Sequence, residues 1–324
     1  MKKTIKICFV DFFPGFNETD NDFIKILRKY YNVVIDQKHP DAVFYSCFGH
    51  AHILYECIRI FYTGECVTPD FNVCDYAIGF DRLEMGDRYI RVPLYRLFEY
   101  ADRYEKLFQR PVVNEIDENK DFCSFVVSNC FADDIRVKMF EALNKYRKVS
   151  SGGRYKNNVG GPVSDKLQFQ GQHKFAIAFE NTVYDGYATE KLTDAFAAGT
   201  IPIYMGDPNI HLDFNEESFV NGHRFNSIED IVARVKEIDE NSDLYFRMLN
   251  TNPIISDNRG NRDLESFLCN IFEQDKNFAR RRPLSRYSNE YEGMIRRHRF
   301  YEDVIYSKII RLRKIVYRLL HGAI

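Results

Sequence analysis

The chain has 324 residues, which is too long for a single typical domain and suits two. Its 45% hydrophobic and 28% charged residues are typical of a globular protein with a core. The net charge of −2 provides no overall positive field, so we expect no nucleic acid among its partners.

The first predicted element is the apolar run Ile5–Val10, which two lysines precede. Lys6 interrupts the run and Asp11 ends it, so the run is too short for the hydrophobic region of a signal peptide. We therefore predict a buried strand. No apolar window of about 18 residues occurs in the sequence, which predicts that no segment spans a membrane.

Eight cysteines are present, and none forms a CxxC pair or stands at zinc spacing from a histidine. Several lie in apolar runs, where a free thiol behaves as a small hydrophobic group. Interpreted as reduced thiols, they predict a cytoplasmic protein. A position at the inner face of the cytoplasmic membrane remains open.

The first 118 residues alternate short apolar runs with stretches of helical spacing. In Asn21–Tyr31, apolar residues recur at intervals of three and four, which predicts a helix. This alternation predicts a parallel sheet that is covered on both faces. The other predicted elements are strands at Ile5–Val10, Val33–Ile35, Ala42–Ser46, Tyr76–Phe80 and Tyr89–Pro93, and a helix at Ile53–Arg59 that leads into Ile60–Thr63.

The polar stretch Gln109–Lys120 contains Pro111 and predicts a linker.

Strands and helices alternate again after this linker. The predicted strands are Phe122–Val127, Phe175–Phe179 and Ile201–Tyr204, and the predicted helices are Ala132–Arg147, Glu190–Ala198, Ile228–Glu237 and Leu264–Phe272. We predict an α/β fold of two doubly wound, Rossmann-like domains with a ligand cleft between them, at residues 1–118 and 119–276, followed by a helical tail at 277–324.

The segment Lys174–Asp207 reads as strand, polar loop, helix, glycine and strand. Thr189 is a good helix N-cap, and Gly199 is a typical helix stop. A helix that begins at the carboxyl edge of a parallel sheet offers free N–H groups to an anion such as phosphate. Lys191 adds a positive charge there, although this charge opposes the helix dipole. Lys191 as a solvated surface residue remains an equal alternative on this evidence.

Two further segments are candidate sites. In Ser150–Gly161, two glycine pairs flank Arg154 and Lys156, and flexible backbone beside two cations suits a diphosphate, although an ordinary surface loop fits equally well. In the sequence FYTGE, Glu65 stands in a turn after a predicted strand. A glutamate in a turn is usually solvated, so a catalytic role requires that it face the second domain.

Several of these segments resemble the α-1,3/4-fucosyltransferases, glycosyltransferase family 10. FENTVYDGYATEKL and AAGTIPIYMGDP look like the donor motif, and FYTGE, DYAIGFD, RYIRVPLY and FVVSN are similar to bacterial members in particular. The likeness spans Ile60–Pro208 in the correct order. It implies the GT-B fold, with the acceptor on the N-terminal domain and GDP-fucose on the C-terminal domain. It also implies inverting transfer that needs neither a metal ion nor a further cofactor.

The resemblance assigns roles to individual residues. Glu65 matches the proposed general base, with Tyr62 and Gly64 beside it on the acceptor side. Lys191 would contact the pyrophosphate, Glu190 the fucose or ribose hydroxyls, and Val163–Lys166 the guanosine. Members often carry Arg where Lys156 stands, so either Arg154 or Lys156 would contact the pyrophosphate. The full donor-side set is Arg154, Lys156, Val163, Ser164, Asp165, Lys166, Asn181, Tyr187, Ala188, Thr189, Glu190 and Lys191.

The reaction so implied moves L-fucose from GDP-β-L-fucose to a hydroxyl of GlcNAc in an N-acetyllactosamine-type glycan, which makes Lewis-type structures. The choice between O3 and O4 is not readable from sequence, because acceptor loops set it. Two alternatives remain: a GT-B transferase that uses another nucleotide sugar, and an inactive glycan-binding relative.

The C-terminal residues 300–324 have the pattern of a basic amphipathic helix. Ile305, Ile309 and Leu312 recur at steps of four and three, and basic residues such as Lys308 occupy other faces. Three interpretations remain open. The helix lies on an anionic membrane surface, pairs with another subunit in an oligomer, or packs back on the first domain.

Overall fold

The computed structural model describes residues 2–127, 135–255 and 262–301, together with Ile305, Lys308, Ile309 and Leu312. The chain forms two compact units. The first unit consists of Met1–Gly79, Leu83–Ile90 and Arg262–Ile324, and the second unit consists of Phe80–Arg82 and Arg91–Asn261.

The secondary structure alternates between strands and helices along most of the described chain. The strands are β1 (Thr4–Val10), β2 (Asn32–Ile35), β3 (Ala42–Tyr45), β4 (Ile58–Tyr62), β5 (Tyr76–Gly79), β6 (Tyr89–Arg91), β7 (Asp121–Phe125), β8 (Val149–Ser151), β9 (His173–Phe179), β10 (Ile201–Met205) and β11 (Val220–Asn221). The helices are α1 (Asp22–Tyr30), α2 (Phe98–Leu107), α3 (Ile135–Tyr146), α4 (Lys166–Gly171), α5 (Glu190–Ala197), α6 (Ile228–Glu240), α7 (Ser242–Asn250), α8 (Arg262–Glu273), α9 (Lys276–Ala279) and α10 (Arg286–Phe300).

The sheet of the first unit has the strand order β2-β1-β3-β4-β5-β6. The pairings from β2 across to β5 are parallel. Strands β3, β4 and β5 are buried along their whole length, as expected for parallel strands that are covered on both faces. Helix α1 begins where Asn21 accepts a hydrogen bond from the N–H of Ile24 (3.0 Å), and its apolar side is buried.

The sheet of the second unit has the order β11-β10-β9-β7-β8, and its pairings are parallel. Strands β9 and β10 run side by side, with Phe175 opposite Ile201 and Phe179 opposite Met205. Their carboxyl ends therefore lie at one edge of the sheet. The loop that follows β9 leads into α5, so this edge also holds the start of that helix.

The predicted helix at Ile53–Arg59 is wrong. A short 3-10 helix covers Ala51–Leu54, and Arg59 lies within β4. The side chain of Arg59 is fully buried and donates to the carbonyl of Tyr55 (2.9 Å) and to the carboxylate of Glu292 (2.8 Å). A buried arginine in a strand requires such partners, and local spacing does not reveal one as distant in sequence as Glu292.

The division of the chain differs from the predicted boundaries. The predicted linker lies inside the second unit. The helix before it, α2, was not predicted from the sequence, and it packs against α5 of the same unit. Tyr104 and Leu107 of α2 share a buried cluster with Leu192 and Phe196 of α5. The segment from Arg262 onward belongs to the first unit, so the predicted boundary at residue 276 also differs from the observed one.

No helix among the described residues is long and apolar enough to cross a membrane. Most of the predicted amphipathic helix at 300–324 lies outside the described residues. Within that segment, Ile305, Ile309 and Leu312 are described, and all three are exposed.

Candidate active site

The donor segment predicted from the sequence lies at the carboxyl edge of the second sheet. Glu180 follows the last residue of β9, and Thr189 directly precedes α5. Gly199 ends the helix region in the left-handed conformation, with φ +70°. The predicted order of strand, loop, helix, glycine and strand is therefore observed.

The carboxylate of Glu180 is the centre of this loop, and its side chain is fully buried. It accepts hydrogen bonds from the backbone N–H of Thr189 (2.7 Å) and from the Thr189 hydroxyl (2.7 Å). It also accepts one from the ammonium of Lys191 (2.8 Å). A buried carboxylate with three donors is well satisfied, so Glu180 fixes both residues in place.

Lys191 is held as a cation. Burial alone would lower its pKa, but the negative charges of Glu180 and Glu190 outweigh burial, and the pKa is raised above its ordinary value. Its ammonium donates to Glu180 and to the Thr189 hydroxyl (2.9 Å). An ammonium has three donors, so one has no partner among the residues that the structure describes. The interaction of Lys191 with the helix dipole is unfavourable, and the negative charge of Glu180 offsets it even without a bound anion.

Thr189 stands at the N-cap position, as predicted, but its side chain makes no capping hydrogen bond to α5. Its hydroxyl bonds to Glu180 instead. The first N–H groups of α5 therefore receive no cap from Thr189. Open N–H groups at a helix start are the donors that bind phosphate in other proteins.

Glu190 lies in the first turn of α5 with cations on two sides. Burial alone would raise its pKa, but Lys191 and Lys166 lower it, and the net pKa is below the ordinary value. The ammonium of Lys166 is 3.7 Å from the Glu190 carboxylate and 2.8 Å from that of Asp194. Arg103 of α2 also pairs with Asp194 (2.6 Å). Glu190 is thus an ionised carboxylate at neutral pH.

Sequence reasoning did not single out Arg136. It lies in the first turn of α3 and is only 4% exposed, and its guanidinium donates to the side-chain oxygen of Asn181 (3.1 Å). Its charge also acts on the pKa of Lys191. The signal that could have found it is an arginine at the start of a helix that follows β7, since β7 ends at the same sheet edge as β9.

Side-chain hydrogen bonds connect parts of the loop Ser150–Gly161. The side chain of Asn157 donates to the carbonyls of Gly153 and Gly161 (2.8 Å each) and accepts from the N–H of Gly161 (2.9 Å). A Cβ atom added at Gly153 would lie 2.0 Å from the carbonyl oxygen of Val127. Gly153 therefore permits a close backbone approach.

The two cations of this loop differ in their surroundings. Lys156 pairs with the carboxylate of Glu141 on α3 (2.6 Å). Arg154 is exposed, and no hydrogen bond or ion pair joins its side chain to another described residue. A guanidinium without a partner can make a bidentate contact with phosphate, which an ammonium cannot.

Val163, Ser164 and Asp165 line an open cavity of about 450 Å³ together with Gly160, Gly161, Gln168 and Phe169. Asp165 accepts from the N–H of Gln168 (2.9 Å) and so caps α4, whose first residue is Lys166. This cavity lies where the resemblance places guanosine. Polar side chains with an aromatic ring beside them suit a base.

Tyr187 and Ala188 are almost fully buried. The ring of Tyr187 packs edge-to-face on that of Phe80, with 5.1 Å between the ring centroids. They lie between Gly186 and Thr189, so their burial anchors the loop that joins β9 to α5.

In the first unit, Glu65 follows the carboxyl end of β4 and is exposed. The hydroxyl of Thr63 accepts from the backbone N–H of Glu65 (3.0 Å) and contacts the thiol of Cys47 (3.2 Å). Gly64 lies in this turn, and Tyr62, at the end of β4, is buried. The carboxylate of Glu65 is therefore on the surface of a turn whose backbone is held in place.

Within the described residues, no group of three His, Cys, Asp or Glu side chains is placed to hold a metal ion. The charged groups at the donor segment are instead Lys191, Lys166 and Arg136 with their carboxylate and amide partners. Each unit has an α/β fold with parallel strand pairings, and each carries polar side chains at the carboxyl ends of its strands. Two units of this kind are typical of GT-B glycosyltransferases.

The chain belongs to glycosyltransferase family 10, the fucosyltransferases. Residues 116–280 match the C-terminal part of that family, and residues 7–98 match the alpha-(1,3)-fucosyltransferase FucT N-terminal domain. The predicted family and the predicted GT-B fold are thereby confirmed.

Among curated proteins, the chain is 37% identical over 265 residues to the alpha-(1,3)-fucosyltransferase FucT of Helicobacter pylori, which covers 71% of this chain and 55% of that protein. It is 31% identical over 144 residues to the human 4-galactosyl-N-acetylglucosaminide 3-alpha-L-fucosyltransferase 9, covering 43% of this chain and 39% of that protein. The chain thus spans about half the length, or less, of these relatives.

Two solved structures are similar over most of both chains. A crystal structure of an alpha1,3-fucosyltransferase with GDP-fucose matches with a TM-score of 0.72 at 30% identity, over 85% of this chain and 92% of that one. A crystal structure of alpha1,3-fucosyltransferase matches with a TM-score of 0.76 at 29% identity, over 88% and 94%.

Proposed function

We propose that the protein transfers L-fucose from GDP-β-L-fucose to a hydroxyl of GlcNAc in an N-acetyllactosamine-type glycan, with inversion at the anomeric carbon. The observation that carries this proposal is the cluster of Glu180, Thr189 and Lys191 at the start of α5. It presents a fixed cation beside a helix start that its N-cap side chain does not cap. A similar chain has been crystallised with GDP-fucose.

The donor is proposed to bind the second unit, with its two phosphates at Lys191 and the first turn of α5. As the bond to fucose breaks, GDP gains negative charge, and fixed cations stabilise that charge without reorganising. Arg136 lies near Lys191 and adds a second cation. The guanosine is proposed to occupy the cavity at Val163–Asp165, and the guanidinium of Arg154, which has no partner among the described residues, to contact the pyrophosphate.

Glu190 is proposed to contact the sugar. It is ionised and lies one residue before Lys191, so it can accept hydrogen bonds from fucose or ribose hydroxyls. A carboxylate close to the anomeric carbon also stabilises the positive charge that develops there as the leaving group departs.

The first unit is proposed to bind the acceptor and to supply Glu65 as the general base. An acceptor hydroxyl has a very high pKa, so it needs a carboxylate within hydrogen-bond reach while it attacks. Attack from the face opposite GDP converts the β-linked donor into an α-linked product. The exposed carboxylate of Glu65, on a braced turn at the end of β4, is accessible for this role.

Aromatic rings beside this turn suit a sugar. Phe13 and Phe48 are half-exposed, and their ring centroids are 6.2 Å apart. Phe48 is on the same loop as Cys47, which contacts Thr63 at the turn of Glu65. The flat faces of these rings can pack against the C–H groups of a pyranose, so we propose them as part of the acceptor surface, with Tyr62 and Gly64 at its edge.

Transfer is proposed to need no metal ion, because Lys191, Arg136 and α5 together supply the positive charge that a divalent cation would otherwise provide.

The protein is further proposed to act in the cytoplasm and to contact an anionic membrane through residues 300–324. The exposed Ile305, Ile309 and Leu312 support this contact. Vesicle sedimentation of the full chain and of a form that lacks residues 300–324 tests the membrane proposal, and equal binding would reject it.

One assay tests the activity. The protein is incubated with GDP-fucose and N-acetyllactosamine, and the linkage of the product is determined. Fucose on GlcNAc O3 or O4 supports the proposal and identifies the position. Turnover of another nucleotide sugar alone, or glycan binding without turnover of any donor, would replace it.

A further inference from the structure

Two arginines, Arg82 and Arg91, flank the point where the chain changes units. Residues 83–90 belong to the first unit, whereas Arg82 and Arg91 on either side belong to the second. They lie in or next to the motifs DYAIGFD and RYIRVPLY, which the proposed chemistry does not use. Their partners within the second unit show what they hold.

The guanidinium of Arg82 contacts four acidic or carbonyl groups, of which the carboxylate of Asp185 is the most distant (3.4 Å). It donates to the carboxylate of Asp207 (2.9 Å), to that of Asp213 (3.0 Å) and to the carbonyl of Asn209 (3.1 Å). Most of the Arg82 side chain is buried, and the Asp207 side chain is fully buried. Such charge-assisted contacts from a planar fork are both strong and geometrically restrictive.

Arg91 reinforces the same group of residues. It makes a bidentate contact with the carboxylate of Asp213 (2.9 and 2.7 Å) and donates to the carbonyl of Phe80 (2.8 Å). Asp213 is therefore shared between Arg82 and Arg91. The two arginines and the two aspartates form one connected network, which we name the arginine latch.

The latch ends on Gly186 in the donor loop. The carboxylate of Asp207 accepts from the backbone N–H of Gly186 (2.9 Å). Gly186 has φ +79°, and an added Cβ atom would lie 2.5 Å from the carbonyl oxygen of Phe80. Gly186 is thus bonded at its N–H by Asp207 and at its carbonyl by the guanidinium of Arg91 (3.4 Å), and it lies close against the carbonyl of Phe80.

The position of Gly186 matters because Tyr187, Ala188 and Thr189 follow it directly. Phe80, whose carbonyl Arg91 holds, also packs its ring on Tyr187. If the backbone left Gly186 in another direction, Thr189 would move away from Glu180. The hydrogen bonds that join Thr189 to Glu180 and to Lys191 would then be lost.

We infer that Arg82 and Arg91 are positioning residues that hold the donor loop, residues 185–189, in the conformation that binds the nucleoside diphosphate. This inference rests on the proposed function of that loop. If the latch served only to stabilise the fold of the second unit, its loss would lower the melting temperature and leave the affinity for GDP unchanged.

The first experiment measures the dissociation constant for GDP by calorimetry, for the wild type, Arg82→Ala and Arg147→Ala. Arg147 is a matched control, because it also pairs with a buried aspartate of the second unit, Asp239 (2.7 Å), away from the donor loop. We expect Arg82→Ala to weaken GDP binding about tenfold or more, and Arg147→Ala to change it less than about twofold, since small misplacements of binding groups are costly.

Two variants approach the latch from the loop side. Asp207→Asn keeps an oxygen that can accept from the N–H of Gly186 but loses the ion pair, so we expect it to bind GDP more tightly than Asp207→Ala. Gly186→Ala disturbs the loop without removing any charge. The effects of Arg82→Ala and Gly186→Ala should be less than additive in the double variant, because both act on the same backbone position.

The outcomes separate this inference from the proposed function. A wild type that does not bind GDP overturns the proposed function and the role of the latch together. A wild type that binds GDP, with folded Arg82→Ala and Gly186→Ala variants that bind it equally well, overturns the latch alone. In steady-state assays, the inference also requires that KM rise for GDP-fucose and not for the acceptor.

Discussion

The ammonium of Lys191 lies 2.8 Å from the carboxylate of Glu180, a residue that is eleven positions earlier and fully buried. This pair joins the end of β9 to the start of α5. It keeps a cation at a helix start, where the dipole disfavours it, and it leaves one ammonium donor of Lys191 without a partner among the described residues, next to a helix start that can attract an anion.

Lys191→Ala should lower kcat/KM for GDP-fucose by about 10²–10³, because one fixed group that stabilises developing charge contributes about that much. Steady-state kinetics with saturating acceptor measures the change. Lys174→Ala is the matched control, since Lys174 is another largely buried lysine of the second unit and pairs with the buried carboxylate of Asp239. Equal losses in both variants would contradict the specific role of Lys191.

Glu180→Gln should shift the pH dependence of catalysis. In the wild type, Glu180 and Glu190 raise the pKa of Lys191 in spite of its burial. Without the charge of Glu180, burial has more weight, so the pKa of Lys191 should fall and the ammonium should be lost at lower pH. The alkaline limb of the profile of kcat/KM against pH should therefore move to lower pH.

The same pair has a consequence for stability. The pKa of Lys191 in the folded state lies above that in the unfolded chain, so the pair stabilises the fold at neutral pH and below. This contribution is lost only as the pH rises through the raised pKa. Denaturant titrations of the wild type and Glu180→Gln at neutral pH and above the ordinary range of lysine should converge at the higher pH.

Glu65→Gln should lower kcat by about 10²–10⁴, the usual contribution of a general base, and should leave the affinity for GDP unchanged. Rapid-quench or steady-state assays give kcat, and calorimetry gives the affinity. Glu84→Gln is the control, because Glu84 is also an exposed glutamate of the first unit. A Glu65→Gln variant that keeps near-normal kcat with its fold intact would remove Glu65 from the role of base.

Arg154→Ala should weaken the binding of GDP more than Lys156→Ala does. The guanidinium of Arg154 has no partner among the described residues, whereas the pKa of Lys156 is raised by its hydrogen bond to Glu141. Recruiting Lys156 to phosphate would first require breaking that pair. Calorimetry of the two single variants checks the order, and a larger loss for Lys156→Ala would reverse the assignment.

The sequence predicted those parts of the site that depend on local signals. The start of α5 at Thr189 and its end near Gly199 follow from capping residues and helical spacing, and both are observed. The resemblance to family 10 likewise rests on contiguous motifs, and the family is confirmed. Strands β9 and β10 were predicted within two residues of their observed ends.

The parts that sequence did not predict depend on contacts between distant residues. Arg136 becomes a candidate site residue only because α3 brings it to Asn181, 45 positions later. Glu180 stands within the recognised motif, yet its role as partner of Lys191 appears only when β9 and α5 are placed. The helix predicted at Ile53–Arg59 failed because the partners of Arg59 include Glu292, which is 233 positions away.

Asp75→Ala should destabilise the first unit by about 3–5 kcal/mol, the usual cost of removing one partner from a buried ion pair. Asp75 is fully buried, pairs with the guanidinium of Arg282, and accepts from the backbone N–H groups of Arg281 (2.7 Å) and Arg282 (2.8 Å). Its loss would leave the buried guanidinium of Arg282 without its nearest carboxylate and three backbone N–H groups, those of Arg59, Arg281 and Arg282, without this acceptor. Urea unfolding followed by circular dichroism measures the change.

The control for this last prediction is Asp87→Ala. Asp87 pairs with Arg281 at a similar separation (2.7 Å), but both side chains are partly exposed to solvent. Water replaces a lost partner at such a site, so we expect a change below about 1 kcal/mol. The buried network at Asp75 also ties the segment before α10 to β5, so limited proteolysis should cut Asp75→Ala, and not Asp87→Ala, near residues 280–286. Equal stability of the two variants would mean that α10 is held to the first unit chiefly by Arg59 and Glu292.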